Sequence, residues 1–196
     1  KQMTVKLIET KKDSKDWKKI KALYLRAFPA VERLPFWLLK KKTQRRIAEF
    51  CSLYDDDEWV GSIYTLKNDS LAYVFFLAID DTKRSHGYGS KLIRLLTERY
   101  AGLVIGLSAE RPDDQAENNK QRIRRQKFYQ RNDFLHSGYY SVEKGGEKFD
   151  FLTYQGRKIN PDEYLKIMHE CLGLFQRFIL PVKMIADGNK SNDQHS

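Results

Sequence analysis

Polar and apolar positions along the chain follow two rhythms in turn. TVKLIE (4–9) alternates and predicts a strand. In DSKDWKKIKALYLRAF (13–28), Trp17, Ile20, Leu23, Tyr24 and Ala27 recur at helical spacing, with Asp13 or Ser14 as the cap. Pro29 stops that helix. After the turn PAVERLP, a second helical stretch runs from Phe36 to about Phe50. The period then drops to two: CSLYDD (51–56), EWVGSIYTL (58–66) and SLAYVFFLAID (70–80) predict three strands joined by short polar turns, an antiparallel meander. The third is the longest and nearly all apolar, which places it in the middle of a sheet.

Downstream, a helical pattern covers Gly87 to Tyr100, and LVIGLSA (103–109) reads as a fully apolar strand. Strand, helix and strand in that order predict a parallel pair with a crossover. RPDDQAENN (111–119) is a polar loop or helix entry, and KQRIRRQKFYQRN (120–132) is a helix. SGYYSVEKGGEKFDFLTYQ (137–155) is a hairpin turning at its two glycines. Pro161 opens a last helix, 162–178, which ends before Pro181. Its stripe of Tyr164, Leu165, Met168, Leu172 and Phe175 packs either on its own domain or on a second copy in a homodimer. Residues from 187 onward, DGNKSNDQHS, are expected to be disordered. The pattern divides into one domain over 1–155, a helical extension over 156–186 and a tail over 187–196, without internal repeats.

Composition sets bounds without choosing a function. The 196 residues suit one domain with an appended piece, and 41% hydrophobic and 13% aromatic residues suffice for a core. No apolar run approaches the ~20 residues of a membrane span, and no signal peptide is visible, so the expectation is a cytoplasmic protein without a membrane partner. A net charge of +10 favours anionic partners: nucleic acid, a membrane surface or a polyphosphate cofactor. Cys51 and Cys171 are either two buried thiols or a disulfide or catalytic pair. His86, His136, His169 and His195 lack metal-ligand spacing, so no structural zinc is expected.

The stretch with the most chemical content is RSHGYGS (84–90). Glycine admits backbone angles that other residues avoid and lets a ligand approach the main chain. Such a loop at a helix start leaves several N–H groups without partners, and the helix dipole adds partial positive charge. The result is an anion site whose usual occupant is phosphate, with Arg84 as an added donor. A dinucleotide fingerprint is excluded because the third glycine of GxGxxG is missing, and the P-loop pattern is absent. An ordinary strand-to-helix turn remains the alternative on these seven residues alone.

The order of features narrows the choice. R-x-x-G-x-G follows an apolar central strand and opens an amphipathic helix; about forty residues later comes KFYQRNDF. This combination resembles the GNAT superfamily of acetyl-coenzyme A-dependent N-acetyltransferases. Arg84, Gly87 and Gly89 match that family's [Q/R]-x-x-G-x-[G/A] signature. Phe128, Tyr129 and Phe134 match its FYxxxGF phrase, with Asp133 in place of the glycine. The element order agrees over roughly residues 4–154. The resemblance implies an α+β fold: a central mixed, mostly antiparallel twisted sheet flanked by helices, here with a C-terminal helical extension.

It also implies roles. The pyrophosphate of acetyl-coenzyme A would sit on the backbone amides of Arg84, Ser85, His86, Gly87, Tyr88, Gly89 and Ser90. The pantetheine arm would pair like an added strand with Leu77, Ala78 and Ile79, and the amide near Ile79 would polarise the thioester carbonyl. Tyr129 would protonate the leaving thiolate, or else merely pack as Phe128 does. Glu110 is the leading base for the attacking amine, or else a solvent-facing carboxylate or a salt-bridge partner of Arg111. The family often carries an asparagine where this chain has Arg122; Asn118 and Asn119 lie close by, and Asn119 and Phe128 join the cofactor-binding candidates. Arg124, Arg125 and Lys127 either reach cofactor phosphates or form a solvated face.

The segment FPAVERLPFWLL (28–39) corresponds to the family's acceptor wall. Glu32 would bind a cationic amine, with Phe36 and Trp37 as an apolar wall or as core residues; Tyr139 and Tyr140 would face the same pocket. The implied activity is transfer of an acetyl group from acetyl-coenzyme A to a primary amine, on a small molecule or a protein, by direct attack in a ternary complex. Two readings compete with it. One is a GNAT-like module that binds acyl-coenzyme A without chemistry. The other is a basic nucleic-acid-binding domain, suggested by the charge and by RIRRQK, against which stands the lack of a recognisable nucleic-acid fold pattern.

Overall fold

The computed structural model describes residues 5–30, 33–142, 145–173 and 183–188. Among the described residues, five helices and eight strands make a mixed α+β fold, in two compact units. The first comprises the described residues of 1–68 and 74–103, the second those of 69–73 and 104–188.

In the first unit β1 (Val5–Glu9) lies antiparallel to β2 (Ala48–Asp55), and β2 antiparallel to β3 (Glu58–Lys67). β4 (Leu71–Ile79) follows β3 in the order β1-β2-β3-β4, with its first three residues counted in the second unit. Two helices, α1 (Trp17–Ala27) and α2 (Phe36–Lys42), join β1 to β2, and α3 (Tyr88–Arg99) follows β4. Successive strand residues face opposite ways, and the pair Glu49 and Phe50 displays both layers. Phe50 meets Trp17 of α1 at 5.4 Å and Phe36 of α2 at 5.8 Å between ring centres. Glu49 turns the other way, to Arg99 and Tyr100 at the end of α3.

That second contact is a buried polar network. Glu49, 5% exposed, accepts from Arg99 Nη2 at 2.6 Å, from Lys67 Nζ at 2.9 Å and from the Tyr100 hydroxyl. Burial alone would raise its pKa, but the bonds from Arg99, Tyr100 and Lys67 together outweigh burial and pull it from 4.5 down to about 2. A carboxylate with a depressed folded-state pKa stabilises the fold above its unfolded pKa, and that contribution fades as the pH falls from 4.5 through about 2. Glu49→Ala leaves Arg99 and Tyr100 without their acceptor and is expected to cost roughly 3–5 kcal/mol. Thermal melts at neutral pH should show a drop of roughly 10 °C. Below pH 3 the gap between wild type and variant should narrow; a gap unchanged by pH would refute the carboxylate's role.

Two boundaries differ from the sequence pattern. The helix α1 starts at Trp17 with Asp16 at the cap position, not Asp13 or Ser14, and the Asp16 side chain makes no cap bond. Its carboxylate instead accepts from Ser52 Oγ at 2.8 Å and from the Tyr54 hydroxyl at 2.7 Å, tying α1 to β2. The second helix stops at Lys42 rather than near Phe50: a 3-10 turn (Thr43–Arg45) follows, and Arg46 at φ 60° turns the chain into β2. Ala48 and Phe50, which extend the helical apolar pattern, pair with Leu66 and Tyr64 of β3. At the other end of α1, Phe28 is extended ahead of Pro29, as expected of a residue before proline.

The second unit holds β5 (Val104–Glu110), α4 (Asn119–Gln130), the hairpin β6 (Phe134–Val142) and β7 (Lys148–Tyr154), α5 (Pro161–Leu172) and β8 (Met184–Ala186). Its strand order is the start of β4, then β5-β7-β6-β8. The hairpin turns where expected, with Gly145 and Gly146 at positive φ. The register of β6 against β7 shifts between His136 and Tyr140. Pro161 opens α5, capped by Asn160 Oδ1 accepting from Asp162 N at 3.0 Å. The α5 face of Tyr164, Ile167, Met168, Cys171 and Leu172 is buried. Tyr164 packs on Tyr73 at 4.8 Å and on Phe151 at 4.9 Å between ring centres. The predicted helix end at 178, with Phe175, lies outside the described residues.

The extension is not helical alone. β8 adds to the edge of β6, Tyr139 opposite Ala186 and Ser141 opposite Met184. Asp187, expected to begin a disordered tail, is held: its N–H donates to Gly138 O at 2.7 Å and its carboxylate takes Arg111 Nη2 at 2.6 Å. Residues 189–196 lie outside the described residues. Cys51 and Cys171 are buried and form no disulfide among the described residues, and burial, then the charge of Glu49, pushes the Cys51 thiol up to about 12.

Candidate active site

In the first unit the candidate anion site is the segment between β4 and α3. Asp80 begins it by capping a short 3-10 turn (Asp81–Lys83): its Oδ1 accepts from Thr82 N at 3.1 Å and Thr82 Oγ1 at 2.7 Å. Those Thr82 bonds, with Arg26 and Lys83 nearby, hold its carboxyl below the usual range. Arg26 pairs with Asp80 at 3.3 Å and with Asp81 at 3.0 Å, fastening the turn to α1. Arg84, the expected extra donor, is exposed and pairs with Asp81 at 2.6 Å.

The backbone then enters the left-handed region twice, at Ser85 (φ 66°) and at Gly87 (φ 76°), the cap residue of α3. Gly87 is the default residue there, since other side chains pay for positive φ. His86 Nδ1 lies 2.7 Å from Arg84 O; a carbonyl only accepts, so Nδ1 carries the proton and the ring folds back on its own loop. Tyr88 is buried and its hydroxyl donates to Asp55 Oδ2 at 2.5 Å, anchoring the first turn of α3 to the end of β2. That bond, then burial and further acidic neighbours, raises the Tyr88 phenol to about 12.

The decisive property lies in the main chain. None of the N–H groups of residues 84–90 donates to an acceptor among the described residues. All these residues except Tyr88 and Gly89 are exposed. Two left-handed residues, a helix start and a row of free donors are what an anionic diphosphate needs. The loop therefore fits coenzyme A in its donor set.

Ahead of the loop, Leu77, Ala78 and Ile79 end β4, and β3 approaches them closely at Gly61. A Cβ at Gly61 would lie 2.6 Å from Ala78 O and 2.9 Å from Ile79 Cδ1, so only glycine lets β3 support that strand end. Sequence reasoning passed over Gly61, which reads there as an unremarkable strand glycine.

The second unit carries the other candidates. Tyr129 on α4 is partly exposed, its ring 5.3 Å from Phe128 and 6.0 Å from Phe134. Its hydroxyl has no hydrogen-bond partner among the described residues. Desolvation of the part of the ring that is buried raises its pKa, offset in part by the charge of Arg125, so the phenol stays protonated at neutral pH. Glu110, at the end of β5, is engaged: it accepts from Asn118 Nδ2 at 3.2 Å and pairs with Arg125, not with Arg111. Arg111 instead bridges Asp150 at 2.5 Å and Asp187 at 2.6 Å and stacks 4.4 Å from the Tyr140 ring. With His136 these two carboxylates bring three ligand-type atoms within 4.8 Å of one another, but the guanidinium already supplies the positive charge there.

Asn119 uses both ends of its amide locally, accepting from Asp113 N at 2.9 Å and donating to Asp114 Oδ1 at 3.0 Å. Arg122, in the family's asparagine position, is 5% exposed and reaches Asn118 Oδ1 at 2.7 Å and Glu147 Oε2 at 2.7 Å. In the predicted acceptor segment, Phe36 packs into the aromatic cluster with Trp17, Tyr24 and Phe50. Trp37 is 60% exposed, and Glu32 lies outside the described residues.

A family model described as the acetyltransferase (GNAT) family matches residues 17–134. No curated protein matches the chain in sequence. Among solved structures, a protein described as an acetyltransferase of the GNAT family from Bacteroides thetaiotaomicron is similar at TM-score 0.66 and 25% identity, over 87% of this chain and 97% of that one. An aminoglycoside 6'-N-acetyltransferase complexed with coenzyme A is similar at TM-score 0.59 and 13% identity, over 79% of this chain and 99% of that one. Arabidopsis thaliana NAA60, in complex with a bisubstrate analogue, is similar at TM-score 0.57 and 15% identity, over 77% and 97%.

Proposed function

As the chain belongs to the GNAT family of acetyltransferases, we propose that it transfers the acetyl group of acetyl-coenzyme A to a primary amine by direct attack. The observation that carries this reading is the row of unpartnered amides from Arg84 to Ser90. Each would donate to the cofactor's diphosphate, with the start of α3 adding its dipole. Leu77, Ala78 and Ile79 would hold the pantetheine arm by main-chain pairing, on a strand end kept in place by Gly61. The bound cofactor supplies an activated thioester.

Tyr129 is the acid for the departing thiolate in this reading. Its raised pKa keeps a proton on the phenol, and its hydroxyl is not committed to another group among the described residues. Glu110 is a weaker candidate for the base than the sequence suggested. Its two oxygens already accept from Asn118 and Arg125, so we assign it to holding β5 on α4, and the amine sheds its proton to solvent.

A screen of thiol release from acetyl-coenzyme A against a panel of small amines and peptide N-termini tests the function. The expected result is release that saturates with cofactor and requires an amine. If coenzyme A binds but no amine raises release above hydrolysis, the chain is a binding module and the proposal fails.

A further inference from the structure

The chain's charge is concentrated in one place. Residues 11–46 carry thirteen lysines and arginines against three carboxylates, while the other 160 residues carry twenty-three of each sign. The whole net charge of +10 therefore belongs to α1, α2 and their flanks. One of the three carboxylates, Asp16, is buried under Ser52 and Tyr54 and does not face solvent as a counter-charge.

Within this segment the outer seam of α1 and α2 forms an open groove of about 740 Å³. Its charged lining is Lys18, Lys21, Arg33 and Lys40, and among the described residues no carboxylate lines it. None of the four has an ion-pair partner among the described residues. Arg33 Nε is buried there without a hydrogen-bond partner. Lys40 Nζ sits 4.4 Å over the Trp17 ring, which fixes one cation at the groove. Trp37 lies in the same groove with 60% of its surface exposed, beside Leu25 at 43%. A large aromatic ring left open to water among unpaired cations has no role in the core: Trp17 and Phe36 already close the aromatic cluster beneath it.

We propose that this groove binds single-stranded nucleic acid, with Trp37 as a stacking platform and Lys18, Lys21, Arg33 and Lys40 on the phosphates. Among the described residues the charged side chains of the groove are all donors, which suits a ligand whose backbone only accepts. A phosphodiester strand is such a ligand; an acidic peptide also presents N–H groups, for which these side chains offer no acceptor. An exposed ring amid cations is the combination that retains unpaired bases irrespective of sequence. The site differs from the RIRRQK helix that the sequence first offered for nucleic acid, and it stands independently of the acetyl-transfer reading.

The test is fluorescence anisotropy of a labelled single-stranded oligonucleotide with the full chain. With four phosphates neutralised, affinity should fall roughly fifty-fold between ~50 and ~200 mM salt. Trp37→Ala should weaken binding about tenfold or more, as expected for the loss of one base–aromatic stack. Lys21→Glu should weaken it and flatten the salt slope, whereas Lys166→Glu, an exposed charge reversal in the second unit, should leave binding near wild type. Coenzyme A affinity, measured in parallel on each variant, separates this outcome from failure of the acetyltransferase reading. The proposal is overturned if the oligonucleotide does not bind at low salt or if Trp37→Ala binds as well as wild type. Equal competition by duplex DNA, poly-glutamate or anionic vesicles overturns it too, since each would show a generic polyanion surface without stacking.

Discussion

Gly87→Asp should raise the Kd for coenzyme A, and the KM for acetyl-coenzyme A, by about 100-fold or more while leaving the protein folded. The position has two properties that make this substitution informative. Its φ is 76°, which aspartate tolerates better than most residues, and a Cβ placed there meets nothing within 4 Å. An acidic side chain at a helix start is also favourable for the helix, because it accepts from first-turn N–H groups and complements the dipole. Those N–H groups are the donors assigned to the diphosphate. The carboxylate would therefore occupy the amides of Tyr88 to Ser90 and repel a second anion. Losing two charge-assisted hydrogen bonds, at about 1.5–3 kcal/mol each, gives the stated factor as a lower bound. Gly87→Asn keeps the backbone preference without the charge and should lose much less. Calorimetric titration of both variants checks the claim; unchanged coenzyme A affinity in Gly87→Asp would remove the loop from the site.

Tyr129→Phe is the second large effect. General acid catalysis of this kind contributes about 10²–10⁴-fold, so kcat should fall by that order while coenzyme A binding stays near wild type. The ring packing on Phe128 and Phe134 is preserved by phenylalanine, so stability should change little. The pH profile adds a check that a packing role would not produce. Burial raises the phenol's pKa, so the active, protonated form persists through neutral pH, and the rate should decline only above the ordinary tyrosine value. That alkaline limb should vanish in the variant. Turnover equal to wild type would leave Tyr129 as a packing residue.

Much of the first unit was legible because its signals are local. The β3 and β4 strands show period two, and R-x-x-G-x-G marks the loop by residues whose backbone preferences are their own. The α2–β2 boundary was not, because Ala48 and Phe50 continue a helical apolar pattern and only pairing with Leu66 and Tyr64 makes them strand. Asp16 looked like one of several acids before a helix; its use by Ser52 and Tyr54 depends on residues some 36 positions away. The Glu49 network joins side chains from three elements and has no sequence pattern at all. β8 is three residues long, too short to show a period, and it is placed by pairing with β6; Asp187 just after it is reached by Arg111, 76 positions earlier.

The site divides in the same way. The amides of the loop follow from glycine and helix position, so the sequence could name them. The fates of Asn119, Glu110 and Phe36 depend on which neighbours fold against them: a local turn, Arg125, and the aromatic cluster. The basic groove was also within reach of the sequence, since residues 11–46 hold all of the net charge, but only the fold puts Trp37 in the open among those cations.

The most direct measurement follows the backbone amide resonances of residues 84–90 during titration with coenzyme A and, separately, with pantetheine, which lacks the diphosphate. Coenzyme A should shift the amides from Arg84 to Ser90 strongly, and pantetheine should leave them nearly in place. Coenzyme A binding detected by calorimetry with those resonances unmoved would contradict the account.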